Sequence, residues 1–591
     1  MTTTVSRPAL SPALPSAPRR PRRTARPWAV PAVLALVAVV CWLVALPSLR
    51  SASYSGFGLL FAGSPLFAVS IALIAVAFVL AIARRTWRMA GVALILSVLI
   101  LRLPTALATT EPLYSWTYKH FGVIDYIQTH GGLAQGVDIY QEWPGAFSFF
   151  AWLNTLTGTT NEQVALWFTV SVQLVLAGSV YLLARSLGLS VGAGLVAGYI
   201  AQAANWVGQD YLSPQALAFA LGTVVLALML ASPRSRAAAW IGLALFVAIV
   251  VSHQLTPYWL IAVVLVLTLL GRLRPRYMIV LFIVIAVGYM LLHLQTVLQF
   301  GNPLNLDLAQ NVQTVQRGTE PSAGQRFSSW GSRLTVVLVC GGTAAILVTR
   351  LIRHRSQWRE TVALGAIAFS SGLILGGQSY GGEAVLRVFL YALPGCAIVL
   401  APVIERALTG GVARATRLVR MSTAVAITAV TLMSAQAYYG AWFANYITPE
   451  SVRVSTELLE EEPVNTLTIG VAPGAPGRLV ARYVEFVEAH REFDAGVDTW
   501  INAWPGWKDY DFRDPTKFHD LTTRLIATDQ PTTVIITEQM LYYSEYYGIF
   551  EPGSLERFRD ILLNDPRWRL VHRTPDLLMF RLQMDASGSF G

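Results

Sequence analysis

The sequence predicts a polytopic α-helical membrane protein, with about 13 transmembrane helices and a small C-terminal extracytoplasmic α/β domain. Three observations carry that expectation. Of 591 residues, 54% are hydrophobic and only 13% charged, with a mean hydropathy of +0.51, whereas about 25% of a soluble domain is charged. Uncharged apolar runs recur from Trp28 to Tyr439, each near the roughly 20 residues a helix needs to cross about 30 Å of hydrocarbon. The charge also divides: residues 1–449 carry 30 basic and 11 acidic side chains, while residues 450–591 carry 14 and 23. The net charge of +10 therefore reflects membrane loops plus an acidic tail, and no nucleic-acid partner is expected.

Residues 1–27 are rich in Pro, Ser, Ala and Arg and lack an aromatic before Trp28, which reads as a disordered basic cytoplasmic tail. The apolar run that follows is a retained signal anchor rather than a cleaved signal peptide, because more spans follow it. The membrane body occupies residues 28–440. Its spans start near Trp28, Ser64, Met89, Asn161, Ser190, Pro214, Ala237, Pro257, Tyr277, Arg333, Thr361, Arg387 and Met421. With the N-terminus in the cytoplasm, 23 arginines fall on the inner side, in groups such as Arg84/Arg85/Arg88 and Arg272/Arg274/Arg276. The opposite loops hold six cations, Lys119 and Arg387 among them. The positive-inside rule fixes that orientation and makes the protein a multi-pass cell-membrane protein.

Residues 146–157, AFSFFAWLNTLT, are too short to cross and rich in aromatics, so they read as an interfacial helix. An odd number of spans then leaves residues 441–591 on the outer side. There Thr466–Val471 and Thr532–Thr537 read as strands, Arg478–His490 and Leu555–Leu563 as helices, and Trp568–Arg573 with Leu577–Leu582 as a terminal hairpin. The Gly-rich turn at Pro473–Gly477 matches no nucleotide-binding pattern. The aromatic patches Trp500–Trp507 and Tyr542–Tyr547 suit either sugar faces or ordinary packing. Cys41, Cys340 and Cys396 all lie in or beside apolar helices, so neither a disulfide framework nor a thiol metal site is expected.

Candidate chemistry gathers in four polar patches at outer helix ends. The loop Glu111–Gly145 holds Asp125, Asp138 and Glu142 as candidate bases, with Lys119 and His120 nearby. Tyr118–Gln128 is expected to be a short helix ended by Gly131 and Gly132, which brings Lys119 or His120 within about a turn of Asp125. The segment NWVGQDYLSPQ presents Asp210, with Ser213 and Pro214 starting the next helix. SHQLTPY presents His253, an ionisable group near membrane depth. GGQSYGGEAVLRVFLYALPG places Glu383 and Arg387 at i and i+4, as a helix-surface ion pair or, through Arg387, a bidentate phosphate contact.

Many spans, an acidic first large outer loop with an interfacial helix, an outer C-terminal domain and the patches DIYQEWPG, DYLSPQ, SHQLTP and GGEAVLRVF together resemble the GT-C superfamily of membrane glycosyltransferases. The resemblance covers residues 110–440 and, more loosely, the tail. It implies transfer of a sugar from a polyprenyl-phosphate donor to a glycan, lipid or protein acceptor on the outer face, as in building a cell-envelope polysaccharide. A carboxylate in the first large outer loop would be the base. Asp125 is the matching position, with Asp138 and Glu142 as rivals. Lys119, His120, Asp210, His253, Glu383 and Arg387 would bind substrate. The chain departs from the family pattern in two extra spans before that loop and in lacking an adjacent Asp-Glu pair there. The residues name no certain cofactor and leave open whether a divalent cation takes part.

A transporter or flippase of a lipid-linked sugar or small solute is the rival class. Transporters place their polar groups near the membrane midplane, often on repeated broken helices. Here the polar patches sit at helix ends and no internal repeat is evident.

Overall fold

The computed structural model describes residues 26–300, 319–376, 383–410, 414–490, 499–500, 512 and 515–583. Most of the N-terminal tail and of the Trp500–Trp507 patch lies outside them, as does the GQSYGG part of the fourth patch.

Apolar composition dictates helices that are hydrophobic on every side. In Ala29–Arg50, Ala35, Ala38 and Ala45 are buried against the bundle, while Leu36, Leu43 and Val44 are exposed on the other face. A helix of that kind belongs in lipid. Among the described residues, seven helices are long and apolar enough to cross a membrane: Ala29–Arg50, Leu66–Ala83, Asn161–Ser186, Pro214–Ala231, Ala323–Arg353, Ala384–Thr409 and Thr416–Tyr439. Helices stand at or close to most of the predicted starts, but several are shorter than a bilayer. Val191–Ala203 has 13 residues and Thr256–Leu269 has 14. Their polar ends re-enter the protein, where buried irregular backbone is tolerated at membrane depth. The span expected from Arg333 instead begins ten residues earlier, at Ala323, where Ser322 caps the helix through Gln325 N–H (3.1 Å). These extra turns reach the C-terminal domain, with Ser322 N–H donating to Tyr546 O (3.2 Å).

The C-terminal domain is α/β, with one mixed sheet in the order β2-β1-β3-β5-β4. Its strands are β1 (Leu467–Gly470), β2 (Thr499–Trp500), β3 (Thr532–Thr537), β4 (Trp568–Arg573) and β5 (Leu577–Leu582). β1 pairs in parallel with β2 and β3, while β5 pairs antiparallel with β3 and β4. The central β3 is buried along its whole length, which explains its unbroken TTVIIT run. The helix expected over Arg478–His490 shortens to Tyr483–His490. Arg478 is left-handed (φ +56°) and 1% exposed, so no helix starts there.

Two separate hydrophobic cores organise the chain. One is the helix bundle. The other joins the first large loop to the C-terminal domain: Phe121, Ile124 and Phe147 pack in one cluster with Ile469, Val534 and Phe580. The loop's helices are Ser115–His130, ended by left-handed Gly131 (φ +63°), and Gly145–Thr157. Asp138 fastens the joint. It is fully buried and accepts hydrogen bonds from Tyr140 and Gln141 N–H (both 2.9 Å) and from Tyr483 Oη (2.9 Å). Arg478 Nη1 stands 3.9 Å away. At Gly122 a Cβ would lie 1.9 Å from Arg478 O, so only glycine permits this approach.

The segment between Val191–Ala203 and Pro214–Ala231 is held from beneath by a buried ion pair. Arg102, 3% exposed, reaches Asp210 (3.6 Å) and donates through Nη2 to Asn205 O (2.6 Å). Asp210 also accepts from Gln173 Nε2 (2.7 Å) and Tyr438 Oη (2.9 Å). Ser213 caps the following helix through Ala216 N–H (3.2 Å). Buried His120 completes the anchorage, its Nδ1–H donating to Leu212 O (2.8 Å).

Two predictions follow from these anchors. Arg102→Met strands Asp210 as a buried unpaired carboxylate and is expected to cost about 3–5 kcal/mol; Arg102→Met/Asp210→Asn recovers much of that, measured by unfolding in detergent. Burial, opposed by the Leu212 bond and reinforced by Lys119, pushes the His120 imidazole down to about 4. The unfolded ring titrates near 6.5, so the unfolded state takes up the proton first and stability falls as pH drops below that value. The expected loss is about 2 kcal/mol by pH 5, and His120→Gln should remove this part of the pH dependence of the melting temperature.

Candidate active site

A cavity of about 250 Å³ opens where the bundle meets the C-terminal domain. Its wall draws on three of the four polar patches and on the C-terminal domain: Trp116 from the first loop, Gln209 and Tyr211 from the anchored segment, Glu383 from the start of Ala384–Thr409, and Gln539 and Tyr543 from the helix Glu538–Tyr547. Tyr114, also in the wall, is held in the left-handed region (φ +70°) with its N–H on Asn445 O (3.0 Å). Strain of this kind costs about 1–3 kcal/mol and clusters at functional sites.

Glu383 is the one carboxylate among the described lining residues. It accepts from Arg387 Nη2 (2.9 Å) and Gln209 Nε2 (2.8 Å), and Gln209 Oε1 in turn accepts from Gln215 Nε2 (2.6 Å). This row joins the second sequence patch to the fourth. Glu383 keeps 43% of its side chain exposed and Arg387 15%, so the pair stays open to a ligand. The Tyr211 phenol is pushed up by burial and by Glu383, while Arg387 pulls it down; at neutral pH it is a hydrogen-bond donor.

The other expected site residues have structural partners. Asp125 Oδ2 accepts Ala481 N–H (2.7 Å) ahead of the Tyr483–His490 helix, and Asp138 is consumed by the buried joint. Glu142 accepts from Gly136 N–H (3.2 Å) and meets His293 Nδ1 (2.7 Å), tying the loop to the end of Met278–Leu292. None of the three lines the cavity. Asp210 lies below the cavity wall in its ion pair. His120 and His253 are buried. His253 Nδ1 accepts from Thr256 N–H (3.2 Å) and Oγ1 (2.8 Å), and Thr256 Oγ1 lies 2.7 Å from Tyr391 Oη; burial and then Arg387 push it down to about 3. Lys119 Nζ rests 4.6 Å from the Trp116 ring centroid, beside the cavity.

Sequence reasoning passed over Glu111. Burial and the nearby Glu162 push its carboxyl up, against a lowering by Tyr118, which marks it as a further titratable group of the loop. It shows no motif of its own; only the fold creates its environment. Among the described residues no group of three or more His, Cys, Asp or Glu side chains could hold a metal ion. Glu383 with neutral Gln209 supplies fewer oxygen ligands than a divalent cation takes.

No family model matches the chain, and no curated protein matches it in sequence. Solved structures similar to it include an oligosaccharyltransferase from Archaeoglobus fulgidus, crystallised with a tethered acceptor peptide containing the NVT sequon. That match has 10% identity and a TM-score of 0.48, and covers 79% of this chain and 72% of that one. ArnT from Cupriavidus metallidurans is similar in its apo state (13% identity, 86% and 100% coverage, TM-score 0.46) and bound to undecaprenyl phosphate (13%, 85% and 99%, TM-score 0.45).

Proposed function

We propose that the chain is a membrane glycosyltransferase that moves a sugar from a polyprenyl-phosphate donor to an acceptor hydroxyl in the 250 Å³ cavity. The observation that carries the reading is the Glu383–Arg387–Gln209 row. It sets a half-exposed carboxylate in an aromatic-walled cavity, paired with a guanidinium, at the end of an apolar bundle. An acceptor hydroxyl must shed its proton as it attacks the anomeric carbon, and the departing lipid phosphate gains charge. Glu383 takes the proton and Arg387 meets the phosphate. Because one guanidinium serves both, an arriving phosphate competes with Glu383 for it and frees the carboxylate to act as base. Tyr211, Trp116 and Tyr543 offer ring faces and hydroxyls to the sugar. The arginine bias of the loops supports an outer-face site, with the N-terminus cytoplasmic and the C-terminal domain outside.

Full-length protein in liposomes, supplied with a labelled polyprenyl-phosphate sugar, tests this. Glu383→Gln is expected to lower transfer by about a hundredfold or more while the protein still folds and inserts. Arg387→Ala should chiefly raise the donor KM. Movement of the donor lipid across the bilayer with no new glycosidic bond would instead identify a flippase, and undiminished transfer by Glu383→Gln would remove that residue from the chemistry.

A further inference from the structure

Gln215 sits in the first turn of Pro214–Ala231, just past its Ser213 cap, and is 8% exposed. It lies outside the cavity wall. Its side chain reaches the site through one intermediary. Gln215 Nε2 donates to Gln209 Oε1 (2.6 Å), and Gln209 Nε2 donates to Glu383 Oε2 (2.8 Å).

The oxygen and nitrogen of a side-chain amide are alike in shape, so packing alone does not decide which of them faces the carboxylate; hydrogen bonds do. Turned about, Gln209 would set its own oxygen against Glu383, two acceptors with no proton between them. The donor from Gln215 occupies Gln209 Oε1 and leaves the NH2 group for Glu383. The backbone that carries Gln209 is fixed separately, by Asp210 in its buried pair with Arg102 and by Gly208, where a Cβ would lie 2.5 Å from Tyr114 Oη.

The two oxygens of Glu383 are thereby made unequal. Oε2 accepts from both Gln209 and Arg387 Nη2 (2.9 Å), whereas Oε1 accepts no hydrogen bond among the described residues. Donors stabilise the charge on Oε2, so the bare Oε1 is the oxygen that takes a proton more readily. When Arg387 turns to an arriving phosphate, Gln209 still holds Oε2.

We infer that Gln215 is a positioning residue of the transfer reaction, which orients the Gln209 amide and so keeps Glu383 Oε1 free to take the acceptor's proton. In that step the acceptor O–H proton passes to Oε1 and the oxygen's electron pair forms the bond to the anomeric carbon. The pair of the breaking carbon–oxygen bond leaves with the lipid phosphate. The role rests on the glycosyltransferase reading of Glu383.

The test assays full-length protein in liposomes with a panel of labelled polyprenyl-phosphate sugars and a membrane extract as acceptor source, and takes pH profiles with the sugar that is turned over. Arg387 on its own helix, Tyr211 from the anchored segment and Tyr543 from Glu538–Tyr547 are the other ionisable groups facing Glu383, and His253 faces Arg387. Loss of a donor to a carboxylate favours its protonated form, so the acid limb moves to higher pH. Near-isosteric Gln215→Met should lower kcat about tenfold and leave the donor KM within about twofold, while the acid limb rises by about half a pH unit. Gln215→Glu sets an acceptor where the donor stood and should do more of both. Gln209→Met should shift the limb at least as far, and Gln209→Met/Gln215→Met no further than Gln209→Met, because one side chain acts through the other. Melting temperatures check that each variant folds, and Gln215→Glu reads the same limb where Gln215→Met does not. An unmoved limb in the Gln215 variants, whatever the loss of rate, marks a packing role and overturns the proposal, as do shifts that add in the double variant. If Glu383→Gln meanwhile abolishes transfer, the glycosyltransferase reading stands without it. Full transfer by Glu383→Gln, or turnover of no sugar by the unmodified protein, overturns both.

Discussion

The buried pair of Arg102 and Asp210 is the constraint on which the site depends. A guanidinium inside an apolar helix is expensive unless its charge and hydrogen bonds are met. Here the charge is met by Asp210 and an Nη2–H by the Asn205 carbonyl, both on one irregular segment. The pair therefore sets the path of the whole turn, and the turn presents Gln209 to Glu383. Tyr438 adds a second tie: its hydroxyl donates to Asp210 (2.9 Å) while its ring lies under the Arg102 guanidinium (3.9 Å). Three helices distant in sequence are thereby fixed around one charge, and the polar row above inherits their rigidity.

Much of the fold could be read from local pattern. Apolar runs locate helices because each must satisfy its own backbone in lipid, and β3, β4 and β5 occupy the residues that alternation and the Pro575–Asp576 turn suggest. Helix ends were less legible. The Ala323–Arg353 helix begins in a polar stretch, SAGQRFSSWGS, whose periodicity shows only when the C-terminal domain supplies a surface for it. Arg478 reads as the first residue of a helix until its left-handed backbone is seen.

The site was legible in part, and the division has a physical cause. Glu383 and Arg387 stand one turn apart, so sequence spacing alone pairs them. Asp125, Asp138 and Glu142 look like catalytic acids because a polar loop amid apolar helices looks like a working surface. Their partners, Ala481, Tyr483 and His293, lie far along the chain, and no local rule reveals that such carboxylates are already engaged. Gln209, Tyr114 and Gln539 carry no motif. They acquire meaning only where three remote segments meet.

The close approach at Gly122 bears on how the molecule is made. Asp125 meets its Ala481 partner across 356 positions of sequence, and the loop's apolar side chains share their core with strands that are synthesised long after it. Until those strands have been made, that loop lacks most of the core it packs against. Membrane insertion of the helices must therefore run ahead of assembly of the working pocket, and a chain stopped early would leave a greasy surface exposed for quality-control factors to find.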